Sequence, residues 1–393
     1  MTNLYDLAPG ALEAELRKVI SPPFRAKQIE EWMHVRGVDS FESMTNVPKE
    51  TRALLAERYT LELPHIVEVT PPAPDGSRKY LFELHDKQRI EAVYMPLPKS
   101  TAERTSVCLS SQAGCAVGCT FCVTGFFGAG RNLMPSEMLG QFFTIVHEHA
   151  LPLDHMNVVF MGMGEPLLNF ENLVTTLDIL YRNLAPKRIT VSTSGIIPGI
   201  EELARLPRRP NLAVSINAPD RERREEIMPI TAKYPLDELI AALRRFPLEK
   251  GREITIEYVL LAGYNDAPRD AVLLAKLIRG LHAKVNAIPL NEDPNLPQWM
   301  KRPGDAAIDR FVETLVQHDV HVTVRRSKGR DIAAACGQLR GKSEAKSRAA
   351  RALHTAPQAA RLGQPHLAER RVDRAGRVEA AGEKRHVIHR ERR

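Results

Sequence analysis

The 393-residue chain is sparing with cysteine, of which it has five, and with tryptophan, of which it has two. No run of about 18 apolar residues offers a membrane-spanning helix. The opening Met1-Thr2-Asn3-Leu4-Tyr5-Asp6 lacks the basic start and apolar stretch of a secretory signal. These absences lead us to expect a cytoplasmic protein with no membrane partner. An odd number of cysteines, four of them (Cys108, Cys115, Cys119, Cys122) crowded together and Cys336 far away, excludes a disulfide framework. In a reducing compartment such crowding points to metal or redox chemistry. A broad basic surface is missing too. Of the net charge of +7, all is supplied by residues 343–393, which hold 13 Lys/Arg and 6 Asp/Glu, so the body before them is neutral. Any nucleic-acid face on the body must come from local clusters such as Arg325-Arg326-Ser327-Lys328-Gly329-Arg330.

What is present reads as a globular protein, with 43% hydrophobic and 26% charged residues. Residues 1–64 have the spacing of a small helical module, with Leu12, Leu16 and Ile20 on one face and a second helix around 27–33. A Pro- and Gly-rich stretch, 71–76, leads to β-like runs at 79–84 and 89–95 that read as a hairpin. From 106 onward strands and helices alternate: strand 106–109, helix 136–149, strand 156–161, helix 171–181, then strands at 188–192, 211–216, 253–261, 284–288 and 320–324. Such alternation implies a parallel sheet with βαβ connections, either open or curled into a partial or full barrel. Residues 65–342 form this second domain. The Ala-, Arg-, Glu- and His-rich 343–393 has few large apolar residues and is expected to be a disordered basic tail.

Cys115-Ala116-Val117-Gly118-Cys119-Thr120-Phe121-Cys122 spells C-x3-C-x2-C in a short loop after a strand. Thiolates suit zinc or iron-sulfur clusters, and clusters ordinarily take four cysteines, so a set of three leaves one iron without a protein ligand. That open iron could chelate the amino and carboxylate groups of S-adenosylmethionine (SAM). The alternative is structural zinc, with Cys108 or a histidine as fourth ligand.

The three-then-two spacing, with an aromatic residue before the last cysteine, resembles the radical SAM superfamily. Three further motifs resemble one branch of it, the RlmN family: Ser110-Ser111-Gln112-Ala113-Gly114-Cys115, Phe160-Met161-Gly162-Met163-Gly164-Glu165-Pro166-Leu167-Leu168-Asn169, and Gly329-Arg330-Asp331-Ile332-Ala333-Ala334-Ala335-Cys336-Gly337-Gln338-Leu339. The resemblance runs from Phe24-Arg25-Ala26-Lys27-Gln28 to Leu339, and the tail beyond Lys342 departs from it. It implies an α/β partial (β/α) radical-SAM barrel with an N-terminal helical RNA-binding module. The implied cofactors are a [4Fe-4S] cluster on Cys115, Cys119 and Cys122 together with SAM. The implied activity is methylation of adenine C2 in 23S ribosomal RNA and transfer RNA, with electrons from a flavodoxin or ferredoxin.

Roles for other residues follow from the same resemblance. Gly164 and Glu165 would hold the methionine end of SAM. Ser192, the group Ser215-Ile216-Asn217, and Asn291, all at or past β-run ends where α/β proteins place ligands, would complete its site. Cys336, by itself an ordinary small buried residue, would be methylated by one SAM. A deoxyadenosyl radical from a second SAM would then take a hydrogen from that methyl group, and the carbon radical would add to the adenine. Cys108 would attack the Cys336 sulfur to release the RNA, which requires the two thiols to approach in at least one state.

Glu91 stands out before any resemblance is invoked. Ile90, Ala92 and Tyr94 share one strand face and Val93 and Met95 the other, so neither side gives its carboxylate a polar setting. The resemblance implies that Glu91 is the general base for the C2 proton; on residues alone, the lesser alternative is an exposed hairpin edge with Glu91 paired to Arg89 or a neighbouring lysine. Arg25, Lys27 and the Arg325–Arg330 cluster are candidates for phosphate contacts, and the target adenine is expected to be flipped from its stack. Two rival readings remain: a Cfr-like enzyme acting at adenine C8, and a zinc-stabilised RNA-binding protein without catalysis.

Overall fold

The protein is described by a computed structural model that covers residues 1–96, 104–325 and 328–340. The basic tail 343–393 and Arg326-Ser327 therefore lie outside the described residues.

The N-terminal module carries helices α1 (Pro9–Leu16), α2 (Phe24–His34) and α3 (Lys49–Arg58). Two short strands, β1 (Thr2–Asn3) and β2 (Tyr59–Thr60), pair in parallel and clasp its ends. Leu12 and Leu16, one turn apart, are both fully buried, as the helical period requires. The module is not a separate globule. Its core residues are continuous with those of the barrel, Ser136 N–H donates to Asp6 at 2.9 Å and the Asn183 amide donates to the His34 carbonyl at 2.6 Å.

The remainder is built on one ten-stranded sheet whose spatial order follows the chain. Strands β3 (His65–Val69), β4 (Arg78–Glu83) and β5 (Arg89–Met95) form an antiparallel wing. β5 joins β6 (Thr105–Cys108) antiparallel, and from β6 onward all pairings are parallel. The parallel strands are β6, β7 (Met156–Phe160), β8 (Ile189–Thr193), β9 (Asn211–Ser215), β10 (Ile254–Leu260), β11 (Ala283–Pro289) and β12 (Val322–Val324). Between them run α4 (Pro135–Glu148), α5 (Phe170–Leu180), α6 (Ile197–Arg205), α7 (Arg221–Ile227), α8 (Leu236–Arg245), α9 (Pro268–Leu277) and α10 (Asp305–Gln317). The crossovers satisfy the requirement of parallel strands for long connections, with helices covering one face. Among the described residues β3 and β12 are the two edges of the sheet, consistent with a partial barrel.

β3 has no counterpart in the sequence reading. Four of its five residues, His65, Ile66, Val67 and Glu68, are exposed, so the strand carries no alternation of apolar and polar residues to betray it.

Candidate active site

The carboxyl ends of the parallel strands open into a cleft. Cys115, Cys119 and Cys122 line it together, along with Gly164, Glu165, Ser192, Ser215 and Asn291. Ile216 and Asn217 do not. Ile216 is fully buried, and the Asn217 side chain is spent on the chain itself, accepting from Val259 N–H at 2.8 Å and donating to the Met228 sulfur at 3.1 Å.

The cysteine loop is tied from several sides. Cys115 N–H donates to the Gly128 carbonyl at 2.8 Å, Thr120 N–H to the Ile227 carbonyl at 3.0 Å and Val123 N–H to the Gly337 carbonyl at 2.7 Å. Burial pushes the Cys115 thiol up to about 12 and raises Cys119 and Cys122 as well, with mutual repulsion adding at Cys115 and Cys119. Three thiols so placed become thiolates at neutral pH only beside compensating positive charge, which iron supplies. Among the described residues no three His, Cys, Asp or Glu side chains are set to hold one metal ion. A four-iron cluster makes a different demand, one sulfur at each of three corners, and the loop offers three cysteines lining one cleft.

The SSQ and GMGE motifs exist for each other. The Ser110 hydroxyl donates to the Glu91 carbonyl at 2.6 Å and accepts from Met163 N–H at 2.8 Å, and Gln112 Oε1 accepts from Glu165 N–H at 2.8 Å. The approach is close enough to require glycine: a Cβ on Gly164, whose φ is +99°, would lie 2.5 Å from Gln112 Cβ. The Glu165 carboxylate, held in the cleft wall, accepts from Ser194 N–H at 2.6 Å, the Ser194 hydroxyl at 2.7 Å and Leu167 N–H at 3.1 Å. Burial raises its pKa, and those donors oppose the rise. An ammonium ligand would favour the charged form.

A second cavity adjoins the cleft, lined by Cys108, Met95, Leu339 and Lys328. Met161, Arg325 and Cys336 form the wall common to both cavities. Cys108 and Cys336 are both free thiols. Burial pushes Cys108 up to about 12, with Cys336 adding and Arg325 opposing. Asn291, placed in the cleft, donates its amide to the Cys336 carbonyl at 3.1 Å.

Glu91 is buried, with 1% of its side chain exposed, but lines neither cavity. One carboxylate oxygen faces the Lys79 ammonium at 3.2 Å, and the other accepts from Arg340 N–H at 3.0 Å. The neighbouring-lysine pairing left open by the sequence is therefore what the fold builds, though inside rather than at an edge.

The described basic residues of 325–330, Arg325, Lys328 and Arg330, do not share one setting. Arg325 turns inward, where coupling to Cys336 outweighs burial and, with Glu257 and Cys108, keeps its guanidinium firmly charged. Lys328 is bound to the Pro96 carbonyl, and Arg330 is exposed. In the N-terminal module Arg25 donates to Gln28 at 2.7 Å, while Lys27 faces solvent.

Two site residues escaped the sequence reading. Arg224, fully buried, donates to the Ser194 carbonyl at 2.7 Å, the Ser215 carbonyl at 3.0 Å and the Thr231 hydroxyl at 2.6 Å, fixing the ends of two strands. In sequence it is one charge in the run Arg221-Glu222-Arg223-Arg224-Glu225-Glu226, and nothing distinguishes it. Glu257 lines the cleft in mid-strand, 5% exposed, and the Asn286 amide donates to it at 2.8 Å. The signal was available there, since Glu257 interrupts an apolar strand just as Glu91 does.

Residues 109–275 match the family model of the Radical SAM superfamily, and residues 2–61 match that of the Ribosomal RNA large subunit methyltransferase N-terminal domain. The chain is 44% identical over 371 residues to the "Dual-specificity RNA methyltransferase RlmN" of Anaeromyxobacter dehalogenans, covering 91% of this chain and 97% of that protein. The protein of the same name from Desulfosudis oleivorans is 44% identical over 322 residues, covering 81% of this chain and 85% of the relative. A crystal structure of a radical SAM methyltransferase from Sphaerobacter thermophilus superposes with a TM-score of 0.81 at 43% identity, over 87% of this chain and 100% of that one. Among the described residues, no helix is long and apolar enough to cross a membrane.

Proposed function

The chain belongs to the RlmN family of the radical SAM superfamily, and from that premise we propose that it methylates C2 of an adenine in 23S ribosomal RNA and in transfer RNA. Membership brings the [4Fe-4S] cluster and SAM, and with them the structural-zinc reading is set aside. Bound at the three-cysteine loop, SAM supplies a methyl group and, once reduced by a flavodoxin- or ferredoxin-type donor, a hydrogen-abstracting carbon radical.

The observation that carries the reading is the place of Cys336, on the wall between the cleft of the three cysteines and the cavity of Cys108. From there one sulfur can take a methyl group on the cleft side and later be attacked from the other. Cys336 would take the methyl group of SAM held there, losing its thiol proton as the sulfur-methyl bond forms, while S-adenosylhomocysteine leaves as the SAM carbon-sulfur bond breaks. After the methyl carbon has joined C2, the base is covalently attached to Cys336. Once the radical adduct had returned one electron to the cluster and lost the C2 proton, Cys108, as thiolate, would attack the Cys336 sulfur; the new disulfide would form as the sulfur-carbon bond breaks, and the electron pair would stay on the former methyl carbon, which takes up a proton to become the C2 methyl group. Burial works against the Cys108 thiolate at rest, and Arg325 is the residue on hand to favour it.

Glu91 is retained as the candidate for the C2 proton, and its carboxylate must first let go of the Arg340 amide. The N-terminal module, residues 1–64, with exposed Lys27, and Arg330 near the cleft are suited to RNA phosphates.

Digestion of RNA modified by the purified enzyme, followed by mass spectrometry of its nucleosides, tests the proposal. It requires 2-methyladenosine. Finding 8-methyladenosine would assign the Cfr-like reaction instead, and finding no methylated adenosine would overturn both.

A further inference from the structure

Residues 328–340, which carry Cys336, have one turn of 3-10 helix and no other regular structure. The segment is a strap laid across the barrel mouth, and its hydrogen bonds are its hold. The cluster loop grips it through the Gly337 and Leu339 carbonyls, and Gln338 donates to the Glu292 carbonyl at 2.9 Å. On the hairpin side, Gly329 N–H donates to Asp75 at 2.9 Å.

The hairpin also contributes a buried ion pair. Lys79 and Glu91 lie diagonally across β4 and β5, since Lys79 registers with Val93 and Leu81 with Glu91. Their side chains are 11% and 1% exposed and approach to 3.2 Å. Other ion pairs of the hairpin, such as Arg78–Glu148 and Arg89–Glu83, are more open to water, their side chains a quarter to two-fifths exposed. A buried pair is a poor way to gain stability, because desolvation of both ions opposes their attraction. This one reaches beyond the hairpin at both ends: the Lys79 ammonium also donates to the Ala333 carbonyl at 3.1 Å, and the second Glu91 oxygen takes the Arg340 amide. The strap is thus held on either side of Cys336, at Ala333 and at Arg340, by one lysine-glutamate unit.

We propose that Lys79 is the positioning residue of the Cys336 strap: its ammonium binds the Ala333 carbonyl and fixes the Glu91 carboxylate that grips Arg340. The link to turnover rests on the reading above that Cys336 carries the methyl group. The hold on the strap does not.

Hydrogen exchange on the anaerobic, cluster-loaded full chain tests this. With Lys79→Met, amides of 333–340 are expected to exchange about tenfold faster or more, as for a locally opened segment, while β7 and β8 keep wild-type protection. Lys79→Arg, which keeps a cation, should recover most of the protection. Lys79→Gln, a milder change, reads the same peptide if the methionine variant unfolds. Wild-type exchange over 333–340 in the methionine variant, or in the glutamine variant where that one must stand in, would overturn the proposal. The fraction of Cys336 that is methylated in each protein, read by peptide mass spectrometry, should fall several-fold in Lys79→Met and recover in Lys79→Arg. Unmethylated Cys336 in the wild type would sink the methyl-carrier reading and leave the exchange result to judge the strap.

Discussion

Arg224 shows how much a single side chain can do for a site it does not touch chemically. Burial pulls its guanidinium down to about 10, and it stays because Thr231 and two carbonyls meet it. Arg224→Met leaves the Ser194 and Ser215 carbonyls without that donor and is expected to cost roughly 3 kcal/mol or more, read as a lower urea midpoint. SAM binding should weaken with it, because Ser194 orients Glu165. Glu257 offers a test of sign. Its folded pKa is raised by burial above the ordinary 4.5, with Arg325 and Asn286 opposing. A carboxyl so raised contributes stability below the unfolded value and loses it as pH climbs through the folded one. From about pH 4.5 upward, the stability of Glu257→Gln should therefore gain on the wild type. A stability difference between the two that is flat with pH would contradict the burial argument. Glu91 and Glu257 were equally legible, each a carboxylate breaking an apolar strand. Arg224 was not, because a buried arginine on a short charged helix looks like any solvated one.

Among the elements, every parallel strand was recognisable from its apolar run, and the hairpin of β4 and β5 from its polar link. β3 was invisible because its exposed residues have no reason to alternate, and the clasp of β1 and β2 is too short for any period to register. The strap posed a different difficulty. Its motif was plain, yet its course depends on partners far away in the chain, among them Asp75, Lys79, Thr124 and Asn291, which no local pattern connects. Thr124 gives the element-scale prediction. Its hydroxyl, buried, donates to the Leu339 carbonyl at 2.6 Å. Thr124→Val should cost about 1–2 kcal/mol and speed alkylation of Cys336 by iodoacetamide several-fold; an unchanged alkylation rate would mean that the strap is held without it.

For the whole molecule, the alternation of strands and helices gave a parallel α/β sheet, open or curled, and the resemblance to the radical SAM superfamily gave the partial barrel and the chemistry of the cysteine loop. The continuity between the N-terminal module and the barrel core was not legible, since helices that share an apolar face in sequence do not say which partner they share it with. The arrangement as a whole places one cysteine between two cavities, with three thiols on one side and one on the other. The account stands on that division of labour, and a single variant tests it. Cys108→Ala protein, loaded with cluster, SAM and RNA under reducing, anaerobic conditions, should accumulate RNA covalently joined to Cys336, visible as a peptide-adenosine adduct by mass spectrometry. Free methylated RNA released at the wild-type rate, with no such adduct, would contradict it.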